Sequence, residues 1–166
     1  NGNTMKTLAF IHRNDTHFAV GDFSPVLSVF SHYELGNTIS PFLLLDHIGP
    51  GRLQPLSTRK GVSDHPHRGF ETVTYMLDGH MLHQDHLGNI GHLKSGGVQW
   101  MTAGRGIIHS EMPQQQDGLM RGFQLWLNLP SAEKMTAPAY VDLSPEQLRH
   151  IQLPGGGSAV LIAGEL

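Results

Sequence analysis

The chain has 166 residues, a formal net charge of −3 and no cysteine, so disulfides, thiolate metal sites and cysteine nucleophiles are excluded and any metal must take nitrogen and oxygen ligands. Its length fits one domain able to bury roughly 70% of the surface that the unfolded chain exposes. No basic run is long enough to track a phosphate backbone, which argues against direct nucleic-acid binding, and the longest apolar stretch, Phe42 to Leu45, is far below the ~20 residues that cross a bilayer.

In chain order, Met5-Lys6-Thr7 reads as a natural start with Asn1 to Thr4 ahead of it. No basic segment followed by an apolar one comes next, so the expected location is the cytoplasm. Twenty glycines and ten prolines then cut the chain into short apolar segments, the spacing of an all-β barrel or sandwich. Strands are predicted over 18–20, 41–47, 71–77, 80–85, 90–93, 97–101, 123–129 and 159–162. Asp78-Gly79 predicts a two-residue hairpin and Leu87-Gly88-Asn89 the next connection, which together give a meander. Between Phe123 and Leu129 the odd positions are apolar and predicted to face the core, with Trp126 on the other face. One short helix is predicted near the C-terminus, with Ser144 as N-cap, Pro145 at its first position, Gln147 at its third, and a stop before Pro154. Gly155 to Ser158 reads as a linker, and the whole of 1–166 as a single domain.

Seven of the twelve histidines, His65, His67, His80, His83, His86, His92 and His109, fall between positions 65 and 109. His65-Pro66-His67 puts two imidazoles at i and i+2, the same face of an extended chain, and His109-Ser110-Glu111 is a second such pair. Gly61 precedes the first pair and Gly104-Arg105-Gly106 the second, where a tight turn is sterically cheap. Two strands could therefore bring three neutral imidazoles and one carboxylate to one ion, a set that suits Fe(II), Mn(II), Ni(II), Cu(II) or Zn(II) over Mg or Ca. The other histidines have blander readings. His80, His83 and His86, with Asp85, read as a hydrogen-bonded or solvated hairpin rather than a second metal site. His47 and His92 are candidates for the pocket entrance, and Gln99 and Trp100 for its lining or for core packing. Arg68 and Arg105 are placed to bond Glu71 or Glu111, or to point outward.

The spacing Gly61-x3-His65-x-His67-x3-Glu71-x7-Gly79 resembles the first motif of the cupin superfamily, and Gly106-x2-His109 the second. In that pattern the carboxylate ligand falls at Glu71, and face parity does not choose between Glu71 and Glu111. The wider run His65-Pro66-His67-Arg68-Gly69-Phe70-Glu71-Thr72-Val73-Thr74-Tyr75 resembles the pirin family, specifically bacterial pirin-like proteins. So do the stretches 99–113, 41–47 and 124–130. Pro113, standing where cupins carry an asparagine, agrees with that family.

The resemblance implies a cupin fold, a jelly-roll-like antiparallel β-barrel with the short helix near its C-terminus. It also implies one metal ion, iron(II) before Mn, Ni, Cu or Zn, on His65, His67, His109 and Glu111, with Glu71 in a supporting role. Pirins usually carry two cupin domains, and this chain stops where a second begins, at 159–166, which would leave a surface open to self-association. Two functions of different class follow from the resemblance. One is a quercetin 2,3-dioxygenase, an oxidoreductase opening a flavonol-like aromatic substrate with release of carbon monoxide, in which Glu111 serves as the base. The other is a non-enzymatic, iron-dependent redox-sensing regulator that binds a partner protein.

Overall fold

The computed structural model describes residues 7–53, 61–115 and 118–165. Its strands are β1 (His17–Val20), β2 (Phe23–Ser31), β3 (Phe42–Leu53), β4 (Val62–His67), β5 (Phe70–Asp78), β6 (His80–Asp85), β7 (Ile90–Lys94), β8 (Val98–Thr102), β9 (Ile107–Pro113), β10 (Gly118–Asn128), β11 (Ala139–Leu143), β12 (Arg149–Gln152) and β13 (Ser158–Leu161). A seven-stranded antiparallel sheet in the order β1-β2-β3-β10-β5-β8-β11 faces a four-stranded sheet in the order β4-β9-β6-β7, and β12 and β13 form a separate hairpin. This is the all-β cupin architecture.

The interior follows from the two-residue period of strands. Met76 of β5, Met120 of β10 and Val26 of β2 meet Met81 of β6 and Leu93 of β7 in one cluster between the sheets. Met101 of β8 meets Ile107 of β9 in another. Between these apolar clusters the inward row of the large sheet is polar: Gln99 pairs with Thr74, Thr74 with Gln124 and Gln124 with Asp46. Opposite it, His83 of β6 is registered with Glu111 of β9, and His65 of β4 with His109. A layer of hydrogen-bonding groups thus crosses an otherwise apolar barrel.

Three expectations are corrected. Asp78-Gly79 is no hairpin: β5 pairs with β8 and β10 while β6 pairs with β7 and β9, so Gly79 turns the chain from one sheet to the other. The turn at 87–89 does close a hairpin, because Asp85 accepts the backbone N–H groups of Leu87 and Asn89 at 2.8 and 2.9 Å. The C-terminal helix is a single 3-10 turn, Pro145–Gln147, whose Ser144–Gln147 capping box forms as expected. The chain leaves helical geometry at once, since residues 149–152 pair with β13 instead. An α-helical turn, His32–Leu35, stands elsewhere. Finally, both faces of β10 are covered. Leu125 and Leu127 pack with Val73, Trp100, Leu148 and Val160 on the outside of the large sheet, and Gln124 and Trp126 lie on the inner face.

Among the described residues no helix is long and apolar enough to cross a membrane.

Candidate metal centre

The ligating atoms of His65, His67 and His109 lie within 4.8 Å of one another. β4 supplies the first two and β9 the third, and the pairing of His65 with His109 across the ladder brings them together. The turn that leaves β4 is tied to the turn that leads into β9: the Gly69 N–H donates to the Gly104 carbonyl at 2.7 Å. Lys134 closes the same corner by donating to the Gly69 carbonyl at 2.8 Å and to Asn128 Oδ1 at 2.6 Å.

The proton positions favour ligation. His65 Nδ1 stands 2.8 Å from the Ser63 carbonyl, which can only accept, so Nδ1 carries a hydrogen and Nε2 is the nitrogen left to bind a metal. His109 is 2% exposed and its Nε2 is buried without a hydrogen-bond partner, the kind of orphaned acceptor that a metal ion would satisfy. Burial, reinforced by neighbouring imidazoles, lowers the pKa of His67 to about 4 and that of His109 to about 2. Both rings therefore stay neutral at physiological pH, the form that binds metal. The three imidazoles together could hold a divalent ion.

Glu111 lies two residues beyond His109 on β9 and is 7% exposed, outside the group of three. Burial pushes its carboxyl above the usual range, against the opposing effects of His65 and a hydrogen bond from Gln124. Gln124 Nε2 donates to Glu111 Oε1 at 3.1 Å, while Gln124 Oε1 accepts the Trp126 indole N–H at 3.0 Å. The indole can only donate, so it fixes the amide orientation and holds Glu111 Oε1 as an acceptor. Trp126 also stacks on Phe70, with centroids 4.6 Å apart, and both rings edge the His67 imidazole. Sequence reasoning did not single out Gln124, because its role depends on which face of β10 points inward.

The other candidates disperse. Glu71 accepts the Thr102 hydroxyl at 2.6 Å and lies on the alternation opposite to inward-facing Thr72. Parity from His67 does not carry over to it, because the chain turns at Gly69 between β4 and β5. His47 stacks on Phe123, His92 hydrogen-bonds His80 at 3.0 Å, and His86 accepts the Ile108 N–H. Arg68 and Arg105 are exposed. Trp100 packs in the outer cluster and Gln99 donates to Asp142. His83, read from sequence as part of a surface hairpin, is instead buried at 3% exposure, and its Nε2 meets His109 Nδ1. The pairing of β6 with β9 buries it, and that pairing has no local signal in the sequence.

Asp46 lines a small cavity with Glu111 and Gln124, and burial raises its pKa from 3.8 to about 6, a Ser28 hydrogen bond opposing. The folded state thus holds this proton more tightly than the unfolded chain. The resulting stabilisation is complete below pH 3.8 and is lost as pH rises through about 6. Asp46→Asn, which keeps a neutral side chain at every pH, is expected to be more stable than wild type at pH 7 by about 1–3 kcal/mol, with the gain vanishing near pH 4. Urea unfolding of both proteins at the two pH values checks this.

Residues 24–127 match the family model for Pirin. A Pseudomonas aeruginosa protein named "Putative quercetin 2,3-dioxygenase" is 56% identical over 124 residues, covering 75% of this chain and 43% of its own length. The crystal structure of a quercetin 2,3-dioxygenase from Acinetobacter baumannii superposes with a TM-score of 0.88 at 43% identity, over 93% of this chain and 55% of that one. The bacterial pirin YhhW from Escherichia coli, solved in complex with nickel(II), superposes with a TM-score of 0.55 at 28% identity, over 78% of this chain and 52% of that one. The chain therefore spans about half the length of the relatives it matches. With the model match extending over more than half of its residues, this chain belongs to the Pirin family.

Proposed function

We propose that this chain carries the metal centre of a dioxygenase of the quercetin 2,3-dioxygenase type, acting on a flavonol-like aromatic substrate, with His65, His67, His109 and Glu111 as the residues that hold iron(II). The observation that carries this reading is the convergence of three imidazoles on one point, with His109 Nε2 buried and unpartnered. The dioxygenase names of similar proteins support the substrate class. A divalent ion bound there would supply Lewis acidity and a template for orientation.

The chain's own groups would do the rest. Phe70 and Trp126 form an aromatic wall beside His67, against which a planar substrate can stack. Glu111 takes the proton of the substrate hydroxyl. In the metal-free site burial raises the pKa of its carboxyl, the direction that strengthens it as a base. Gln124 and Trp126 keep Glu111 Oε1 occupied as an acceptor, which leaves Oε2 as the atom that would serve the metal and, once off it, receive the proton.

Mixing quercetin with the metal-loaded protein under anaerobic conditions tests this directly. A red shift of the flavonol absorption to that of its anion is expected with wild type and is expected to be lost in Glu111→Gln. Absence of the shift with wild type, or its persistence in the variant, contradicts the role of Glu111.

A further inference from the structure

His83 is about as deeply buried as His109 yet lies outside the proposed ligand set. Its Nε2 meets His109 Nδ1, with ring centroids 4.4 Å apart and planes inclined at 61°, an edge-on approach suited to a nitrogen-to-nitrogen hydrogen bond. Only one of the two nitrogens can bring the hydrogen. Were His83 the donor, the neutral His109 ring would carry its own hydrogen on Nε2 and have no lone pair there to offer. With His109 as the donor from Nδ1, its buried and unpartnered Nε2 is a bare acceptor open to a metal ion.

We propose that His83 is a positioning residue: it accepts the Nδ1 hydrogen of His109 and so holds that ring in the tautomer and orientation in which Nε2 faces the metal. The hydrogen of His83 itself then resides on its Nδ1. On its far side, His83 lines a polar cavity of about 150 Å3 with Gln99, Tyr140 and Asp142. The Tyr140 ring packs 5.1 Å from the imidazole, and the negative charges of Asp85 and Asp142 act on it. The same acidic surroundings favour the arrangement in which His83 hydrogen-bonds as an acceptor on one side and offers a donor on the other. Metal-bound histidines generally give their second N–H to such an acceptor, and loss of the acceptor typically costs 10–100-fold in metal affinity.

The consequence for metal binding rests on the metal-centre reading above, whereas the hydrogen bond exists without metal and can be tested without it. Nitrogen-15 NMR of the metal-free chain, with the His109 signals assigned by their loss in His109→Ala, is expected to show His109 protonated at Nδ1 and bare at Nε2. Zinc titration is then expected to give a dissociation constant 10–100-fold weaker for His83→Leu than for wild type. His83→Gln, whose amide oxygen can accept the same hydrogen, is expected to recover most of the affinity. Thermal melts of the metal-free variants separate this from a packing defect, which would lower stability in both without restoring affinity in the glutamine variant. His109 protonated at Nε2, a leucine variant that binds zinc as tightly as wild type, or a glutamine variant as weak as leucine overturns the proposal. A wild-type chain that binds no zinc, with His109 protonated at Nδ1, overturns the metal reading instead.

Discussion

His109→Ala is expected to weaken binding of a divalent metal by more than a hundredfold, with His67→Ala close behind and Glu71→Ala unchanged. The proposed site of four nitrogen and oxygen ligands, judged by the binding free energies of about 10–16 kcal/mol at structural zinc sites, would draw about 3 kcal/mol from each ligand, and 1.4 kcal/mol is a factor of ten. His109 stands to lose most. Its Nε2 is the buried atom with no other partner, and its β9 backbone position is locked between β4 and β6. Glu71 differs from it in kind, because its carboxylate is engaged by Thr102 and lies off the inward face. Isothermal titration with zinc distinguishes the three variants. Metal retained by His109→Ala, or lost only in Glu71→Ala, contradicts the ligand assignment.

Gly104→Val is expected to give the largest loss of stability among single substitutions near the site. Gly104 has a φ of +52°, which costs an L residue roughly 1–2 kcal/mol and a β-branched one more. An added Cβ also runs into the Thr136 carbonyl oxygen, a backbone atom that cannot turn aside. That carbonyl accepts the Arg105 N–H at 2.9 Å, and the Gly104 carbonyl accepts the Gly69 N–H at 2.7 Å, so displacement here moves the turn after β4 and the turn before β9 together. With overpacking adding roughly 1–3 kcal/mol, the total is about 2–5 kcal/mol, or a fall in Tm on the order of 10 °C for a chain of this size. Thermal unfolding of the metal-free variant measures it. A Tm within a degree or two of wild type would show that the turn can relax without cost.

The cluster of His65, His67 and His109 was legible because its signal is local. His65 and His67 share a face by strand periodicity alone, and Gly104-Arg105-Gly106 ahead of His109 marks a turn that the structure contains. What the sequence hid depends on register between distant strands. Gln124 reaches Glu111 only because β10 turns its even positions inward, and an apolar pattern on the odd positions pointed the other way until the outer face proved to be covered as well. His83 is buried by the pairing of β6 with β9, and Asp78-Gly79 gives the same dipeptide signal for a crossing between sheets as for a hairpin. The one-turn helix at Pro145–Gln147 shows the limit of capping signals: the cap specified where helical geometry begins, and strand pairing at 149–152 decided where it ends.

The most direct test of the central claim is dioxygen consumption, followed together with carbon monoxide release, by the iron(II)-loaded chain given quercetin. Ring opening predicts uptake and release in equal amounts, both abolished in His109→Ala. A chain shown to be fully loaded with iron that neither consumes dioxygen nor releases carbon monoxide would contradict the dioxygenase reading and leave the metal centre to serve another substrate or the grip on a partner protein.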